Sequence, residues 1–272
     1  MQNTVEPTRH QRRTTDTRST RLAQHADLLS MPVSYDVIAS LARRWWNQQW
    51  EMFAFLRRQN LRGKFVLIAG CGVGEDAFRL AGMGARVFAF DDNPESIAVA
   101  RRLAARERLK VAFSVMPAER LDYPDAFFDC VIARDTLHRA DIPQALAEIF
   151  RVSRPNAVLV VNDVYSCSFV DRIRRRYVID RPRSSRLPDR PCPAPDAGLT
   201  ANPRTLTPHD VRTIVAQFGR LELKTYFGAV VGRVVPDTSL LATKLDRVAL
   251  LALGPLASAF GSRVLLAGRP AS

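Results

Sequence analysis

The sequence contains few lysines, few cysteines and no long apolar run. Lysine accounts for only four of the 40 basic residues, and four cysteines are spread over 272 residues. No two cysteines form a C-x-x-C pair, which argues against a zinc site and against a disulfide framework and fits a reducing compartment. No uninterrupted apolar stretch reaches about 18 residues, so the sequence predicts no membrane-spanning helix.

Positive charge, by contrast, is in excess. The net charge is +13, so nucleic acid or an anionic membrane surface must be considered as a partner. All but four of the basic residues are arginines, however, and such a skew also arises from a GC-rich genome. The charge therefore identifies no partner by itself. Apolar residues make up 47% of the chain, which is ordinary for a globular protein.

Short apolar runs alternate with segments of helical periodicity from residue 65 onwards. Helices are predicted at 77–83, 94–104, 142–152 and 208–218. Strands are predicted at 65–69, 86–90, 110–115, 127–133, 157–161, 221–227 and 263–267. This alternation predicts an α/β fold: a doubly wound, Rossmann-like, mostly parallel seven-stranded sheet with helices on both faces and an antiparallel final strand.

The first predicted strand runs into the glycine-rich turn Gly70-Cys-Gly-Val-Gly74. A turn of this kind between a buried strand and a helix lets backbone N–H groups approach a ligand at the positive end of the helix. By itself it suits a dinucleotide, a phosphate or the amino-acid end of S-adenosylmethionine. Glu75 stands where the dehydrogenase pattern G-x-G-x-x-G/A needs a small residue, and no Lys-Ser/Thr pair of a P-loop follows. These two details disfavour the first two ligands.

Asp91 closes the second predicted strand. A carboxylate at this position can accept hydrogen bonds from ribose hydroxyls. The alternative is a turn or helix-capping role shared with Asp92, because Asn93 and Pro94 open the next helix with a favourable cap and first residue.

Four motifs in the same order resemble those of class I methyltransferases of the ubiquinone/menaquinone C-methyltransferase type, methyltransferase type 11. They are Val66–Gly74, Phe90–Arg101, Pro117–Asp129 and Arg151–Ala157. Four ordered motifs are a far more specific signal than one glycine turn. The resemblance implies an enzyme that transfers a methyl group from S-adenosylmethionine to oxygen or carbon of a small-molecule or lipid-like acceptor.

The resemblance also implies roles for individual residues. The glycine turn would face the methionine moiety, Asp91 with its neighbour the ribose, the segment after the third strand the adenine, and the end of the fourth strand the sulfonium. The implied cofactor contacts are Gly70, Cys71, Gly72, Gly74, Asp91, Asp92, Ala118, Glu119 and Ala133. Pro117 stands where the family has Asp or Asn for the adenine amino group, and Asn156-Ala157 replaces a glycine pair, a milder change because Asn tolerates positive φ.

Two residues after the fourth strand are candidate catalytic groups. His138 can act as a general base because imidazole titrates near neutrality, and Arg134 can position the acceptor or the cofactor. The alternative for His138 is a structural role, which a histidine at this place in the family often has. Asp135, Asp163 and Tyr165 are also placed to face the acceptor. No metal site is predicted, and methyl transfer depends chiefly on alignment of the donor with the nucleophile.

Two other functions stay open. An RNA methyltransferase would fit the charge, but residues 133–136 read Ala-Arg-Asp-Thr where amino-methylating nucleic-acid enzymes have N/D-P-P-Y/F. A non-catalytic binding or scaffold protein would fit Pro117 and the altered turn at 156–157. The apolar segment 240–260 either packs on the sheet or lies on a membrane surface, so we expect a cytoplasmic protein with peripheral membrane contact as an alternative. The oligomeric state is not predicted.

The domain layout follows from these assignments. Residues 1–32 form a predicted disordered basic arm without the apolar stretch of a secretory signal, and a mitochondrial transit peptide is the alternative. Residues 33–272 form a single predicted methyltransferase domain. Its parts are aromatic-rich N-terminal helices at 33–60, a cofactor-binding core at 65–163, an insertion or lid at 166–205 and acceptor-side elements at 206–272.

Overall fold

A computed structural model describes residues 48–165, 205–227 and 240–270. Seven strands and seven α-helices fall within these residues, with single 3-10 turns at Leu137–Arg139 and Gly254–Leu256. In chain order the elements are α1 (Gln48–Arg58), β1 (Phe65–Ala69), α2 (Glu75–Gly82), β2 (Arg86–Asp91), α3 (Pro94–Arg106), β3 (Val111–Val115), β4 (Phe128–Arg134), α4 (Ile142–Val152), β5 (Ser153–Val164), α5 (Pro208–Ala216), β6 (Phe218–Phe227), α6 (Leu240–Leu253), α7 (Ala257–Phe260) and β7 (Arg263–Pro270).

All seven strands form one sheet in the order β3-β2-β1-β4-β5-β7-β6. The pairs from β3 through β5 are parallel, and β7 lies antiparallel between β5 and β6. The predicted fold class is therefore confirmed, including the antiparallel last strand. In such a sheet the carboxyl ends of the parallel strands lie along one side, which we call the carboxyl edge. Arg263, the first residue of β7, pairs with Val164 at the end of β5, so β7 begins at this edge.

Two apolar layers cover the faces of the sheet. One layer contains the buried side chains of α1, α2 and α3, and the other contains those of α4 and α5. The helix α4 illustrates the pattern, because its buried residues Ile142, Ala145, Leu146 and Ile149 recur at three- and four-residue intervals. In the second layer Phe88 makes edge-to-face contacts with Tyr123, Phe127 and Phe128. Such contacts add to the stabilisation from burial alone.

The predicted element bounds agree closely with the structure in the first half of the chain. The strand at 65–69 and the helix at 142–152 have the predicted bounds. The prediction was wrong at Phe218, which begins β6 instead of ending a helix, because its side chain is buried and its backbone pairs with Pro270. The fifth strand begins at Ser153, and an irregularity in its pairing with β4 absorbs residues 154–157. Asn156 is not among the described non-glycine residues with positive φ. The ability of Asn to adopt positive φ is therefore not needed at this position.

Several predictions concern residues that the structure does not describe. The basic arm at 1–32, residues 33–47 of the N-terminal helices and residues 166–204 of the insertion lie outside the described residues. Within the described ranges no helix has the length and hydropathy needed to cross a bilayer.

Arg151 of α4 fastens the segment that leads into β4. Its Nη groups donate to the carbonyls of Tyr123 and Leu121, each at 2.8 Å, and its Nε donates to Glu148 Oε1 at 2.8 Å. Glu148 Oε2 in turn accepts the N–H of Leu121 at 2.7 Å. The hydrogen bonds from Arg151, opposed by partial burial, lower the pKa of Glu148 to about 2. The motif at 151–157 therefore has a structural role that its sequence alone does not reveal.

The ion pair of Arg151 with Glu148, which we call the Arg151 clamp, makes the unfolding free energy depend on pH. A carboxyl whose pKa is lower in the folded chain stabilises the fold above its ordinary pKa of 4.5, and this contribution is lost as the pH falls through about 2. We expect Glu148→Gln to lose on the order of 2 kcal/mol of unfolding free energy at pH 7, with a smaller difference from the wild type as the pH falls below 4.5. Urea unfolding at several pH values measures this. Glu95→Gln, an exposed carboxyl in α3, is the control, and equal effects of the two variants would contradict the clamp.

Candidate active site

The three glycines of the turn after β1 have different surroundings. Gly70, Gly72 and Gly74 all have positive φ, at 65°, 52° and 91°, which favours glycine. A Cβ on Gly70 would lie 2.2 Å from Thr136 Oγ1, and one on Gly74 would lie 2.8 Å from the ring of Phe78. At Gly72 no atom lies within 4 Å of that position. Gly70 and Gly74 thus allow close packing, whereas the backbone at Gly72 is open to a ligand.

Asp91 connects the turn with the end of β2. Its Oδ2 accepts the N–H of Gly72 at 2.8 Å, and its Oδ1 accepts the N–H of Asn93 at 3.0 Å. Burial raises the pKa of Asp91 above its ordinary value, the N–H donors of Asn93 and Gly72 oppose the rise, and Asp92 adds to it. Each carboxylate oxygen has a second lone pair, so the two backbone bonds leave acceptors for hydroxyl donors. Asp92 is exposed.

Few side chains are exposed in the segment that the resemblance assigns to adenine binding. Ala118 is buried in the core with Leu121, and Glu119 Oε1 accepts the N–H of Asp141 at 2.8 Å. Val115 is 48% exposed at the end of β3, where its Cα pairs with that of Asp91. The open apolar surface on this side is therefore that of Val115, which the sequence analysis did not single out.

Cys71 is the second residue of the turn, and Ala133 lies beside the turn near the end of β4. Burial, strengthened by the nearby charge of Asp91, raises the pKa of the Cys71 thiol well above its ordinary range. A raised pKa makes this thiol a poorer nucleophile. Ala133 is fully buried in β4, and the hydroxyl of Thr136 donates to the carbonyl of Ala69 at 2.8 Å. That bond joins the ends of β1 and β4 beneath the turn.

Arg134 is held by a carboxylate of α2. Its Nε lies 2.7 Å from Asp76 Oδ2, while Asp76 Oδ1 accepts a hydrogen bond from Arg79 at 3.0 Å. Asp76 is buried, and two cations compensate its charge. Arg134 thus fixes the end of β4 to the first turn of the helix that follows the glycine turn. It lies at the edge of the sheet where it was expected.

His138 has a partner that its sequence position does not reveal. Its Nδ1 lies 2.6 Å from Asp163 Oδ1, and its backbone N–H donates to Asp163 Oδ2 at 3.2 Å. Both residues are buried. A carboxylate that accepts a proton from Nδ1 selects the tautomer in which Nε2 carries the lone pair. Within the described part of the chain Nε2 makes no hydrogen bond, so this nitrogen is an acceptor for a proton.

Asp135 joins the same edge of the sheet to the last strand. It is a non-glycine residue with φ of 55°, and its N–H donates to the carbonyl of Asn162 at 3.0 Å. Its carboxylate forms a short ion pair with Arg263, whose guanidinium also lies 3.4 Å from Asn162 Oδ1. Strained backbone of this kind is frequent at functional sites. The acceptor edge, defined here as Asp135, His138, Asp163 and Arg263, thus draws on β4, β5 and β7.

Among the described residues no cluster of His, Cys, Asp and Glu could hold a metal ion. The fold and the site together define an α/β domain whose open backbone lies at the carboxyl edge of its sheet, between β1 and β2, where ligands bind in open α/β sheets. The kind of domain follows from comparison with known proteins.

Residues 67–161 match the family model described as a methyltransferase domain, so this part of the chain carries the domain that its motifs predict. Over 83 residues the chain is 42% identical to the ubiquinone biosynthesis O-methyltransferase of Methylocella silvestris, covering 30% of this chain and 32% of that protein. Over 101 residues it is 39% identical to the demethylmenaquinone methyltransferase of Thermus thermophilus, covering 36% and 46%. The chain therefore matches less than half the length of these relatives.

The likeness to solved structures extends further along the chain. The crystal structure of the PH0226 protein from Pyrococcus horikoshii aligns with 89% of this chain and 97% of its own, with a TM-score of 0.55 and 19% identity. At this identity the comparison shows the fold alone. The shared fold thus reaches beyond the stretch that matches the family model.

The partnership of His138 and Asp163 had a signal in the sequence. His138 follows β4 and Asp163 lies at the end of β5, and the carboxyl ends of such neighbouring parallel strands meet at one edge. No such signal in the sequence indicated the ion pair between Asp135 and Arg263, because this pair depends on the position of β7 in the sheet.

The different surroundings of Gly70 and Gly72 lead to a stability prediction. We expect Gly70→Ala to lower the unfolding free energy by about 3 kcal/mol, through overpacking against Thr136 and left-handed strain, and Gly72→Ala by about 1 kcal/mol, through strain alone. Urea unfolding measures both. Thr136→Ala removes the hydroxyl in the way, so the double variant with Gly70→Ala should be destabilised by less than the sum. Full additivity would contradict the contact.

Proposed function

We propose that this chain binds S-adenosylmethionine and transfers its methyl group to a small-molecule acceptor. The observation that carries the proposal is the open backbone at Gly72, held by the Asp91 carboxylate between the ends of β1 and β2. A Cβ would fill this space, so the position fits a ligand that approaches the main chain closely. The match of residues 67–161 to a methyltransferase domain supports the same ligand.

The proposed contacts follow the geometry of the turn. Backbone N–H groups at the start of α2 would face the carboxylate of the methionine moiety, and the remaining lone pairs of Asp91 would accept the ribose hydroxyls. The exposed apolar side chain of Val115 would pack on the adenine ring. Ala118 and Glu119 would contribute through the backbone, because their side chains are already engaged. Asp92 and Cys71 would border this site.

The bound cofactor supplies an electrophilic methyl group on a sulfonium, and the residues of the acceptor edge would prepare the nucleophile. His138 Nε2 would take the proton of an acceptor hydroxyl, so that the hydroxyl oxygen becomes the nucleophile. Asp163 would orient the imidazole through Nδ1 and stabilise its cation. Arg134, held by Asp76, would fix the end of β4 beside the turn.

The chemistry of the acceptor is the second part of the proposal. A buried His–Asp pair at the acceptor edge favours oxygen methylation, since a hydroxyl must lose a proton. The relatives named for ubiquinone and menaquinone suggest an aromatic, lipid-like acceptor. A cytoplasmic location with peripheral membrane contact is part of the same proposal. Neither an RNA methyltransferase nor a non-catalytic scaffold gains support from a particular contact in the described residues.

Isothermal titration calorimetry with S-adenosylmethionine and S-adenosylhomocysteine tests the cofactor. Both should bind at one site, and binding of neither would overturn the enzyme proposal. Transfer of tritiated methyl groups to polyprenyl catechols and demethylmenaquinol in detergent tests the acceptor. Methylation of tRNA instead would favour the alternative function.

The role of Asp91 gives a prediction for cofactor affinity. Asp91→Ala should weaken binding of S-adenosylhomocysteine by about 1–3 kcal/mol, because it removes the ribose acceptor and releases the Gly72 N–H. Asp92→Ala, which removes an exposed neighbouring carboxylate, should change the affinity by less than about 0.5 kcal/mol. Calorimetry of both variants measures this, and equal losses would show that the assignment of Asp91 is wrong.

The role of His138 gives a prediction for turnover. In His138→Asn the amide nitrogen can still donate to Asp163, so the fold and the affinity for S-adenosylhomocysteine should persist. Loss of Nε2 should lower kcat by about 100- to 10,000-fold on a hydroxyl acceptor. Steady-state kinetics and calorimetry separate the two effects. Unchanged kcat would restrict His138 to a structural role.

A further inference from the structure

Helix α6 has apolar residues on two opposite sides. On one side Leu250 is buried and Leu253 partly buried, and with Ala257 they pack around Tyr226 of β6. On the other side Leu245 and Val248 are 50% and 62% exposed. A helix that is apolar on both sides is unusual on a protein surface unless something covers its outer side.

The outward side of α6 continues into the following turn. Leu251 is 71% exposed and Leu256 is 62% exposed. We call Leu245, Val248, Leu251 and Leu256 the outer face. They are four of the five large apolar side chains exposed in the part of the chain that the structure describes. Single exposed apolar residues need no explanation, but their concentration on one helix and the turn that follows it marks an interaction surface.

The charges beside the outer face favour one occupant. Lys244 and Arg247 are both exposed on α6, so cationic groups border the apolar residues. A second copy of this chain meeting the same face across a two-fold axis would bring these cations against their own kind. An anionic lipid surface matches them, since apolar side chains enter the acyl boundary while long basic side chains reach the headgroups. The net charge of +13 acts in the same direction.

The geometry of α6 is that of a helix lying on a membrane. With 14 residues it is about 21 Å long, shorter than the hydrocarbon core of about 30 Å, so it can lie in the interface but cannot cross it. The opposite side of the same helix is anchored to the sheet through Tyr226. The protein would therefore rest on the lipid surface through a helix that remains packed on its own domain.

The outer face also lies beside the acceptor edge. Tyr226, on which α6 packs, pairs with Val264 in the sheet, and the next residue, Phe227, pairs with Arg263. The ring of Tyr226 lies 5.2 Å from that of Tyr165, two residues beyond Asp163. A membrane under α6 would thus adjoin the end of the sheet where the acceptor is proposed to bind.

We infer that the outer face of α6, with Lys244 and Arg247, is a docking surface for an anionic membrane, from which a lipid-soluble acceptor reaches the site. The second clause rests on the proposed methyltransferase function, whereas the docking surface does not. Docking of this kind is peripheral and reversible, and it weakens with salt because part of the attraction is electrostatic.

Flotation of the full chain with lipid vesicles tests the inference. Vesicles of phosphatidylcholine with phosphatidylglycerol should carry the protein upward at low salt, more than vesicles of phosphatidylcholine alone. Val248→Ser/Leu251→Ser should lower the partition coefficient by about tenfold or more, and Lys244→Glu should lower it by a similar factor on the anionic vesicles only. Matched controls are Val248→Ile/Leu251→Met, which keeps the apolar surface, and Lys110→Glu, which reverses an exposed charge elsewhere; both should keep wild-type partition.

Three outcomes would overturn the docking surface: no flotation of the wild type at low salt, equal flotation of the outer-face variants, or a dimer in sedimentation velocity that these variants dissociate without any vesicle binding. Calorimetry with S-adenosylhomocysteine on the same preparations separates this inference from the proposed function. Absence of vesicle binding by the wild type, with intact calorimetry, contradicts the docking surface and leaves the methyltransferase activity standing. Vesicle binding without any cofactor binding contradicts the methyltransferase proposal alone.

Discussion

The hydrogen bond from the Gly72 N–H to the Asp91 carboxylate is the interaction on which the candidate site depends. It fixes the turn after β1 against the end of β2, so that the open backbone at Gly72 and the free lone pairs of Asp91 face the same space. The parallel register of β1 and β2 brings the two together. Burial of Asp91 opposes ionisation, and the two backbone donors compensate this cost in part. A ligand with hydroxyl donors would complete the compensation, which is a physical reason for such a ligand to bind here.

Much of this donor end could be predicted from the sequence, because its determinants are local. The apolar strand, the glycine turn and the strand-closing Asp91 fall within 27 residues of each other along the chain, between 65 and 91, and Asn93 caps the next helix as predicted. The structural roles of the three glycines could not be distinguished from the sequence. Their φ values are alike in sign, yet only Gly72 is open, since Thr136 and Phe78 close the space beside the other two. That distinction depends on packing from β4 and from within α2, which no local pattern encodes.

The acceptor end was less predictable for the same reason. His138 was a candidate, but its interpretation depended on whether a partner existed, and Asp163 lies 25 residues further along the chain. The ion pair of Asp135 with Arg263 spans 128 residues and depends on β7 lying between β5 and β6. Nothing in the sequence distinguished Val115 from the other strand residues, and its exposure beside Asp91 is seen only in the structure. Sequence periodicity places residues on faces of elements, whereas these contacts depend on which strands become neighbours.

The position of β7 beside β5 also connects the acceptor edge with the helices that carry the outer face. The N–H of Tyr165 donates to the carbonyl of Ser262 at 2.8 Å, and the N–H of Ser262 donates to the carbonyl of Phe227 at 2.9 Å. Ser262 directly precedes Arg263, which holds the strained backbone of Asp135 through its carboxylate, and follows the helices that carry the outer face. A membrane contact on those helices would therefore act next to the residues that line the acceptor edge, through main-chain hydrogen bonds instead of a flexible linker. An exposed apolar face costs solubility, and its position beside the acceptor edge is what a lipid-soluble substrate would require.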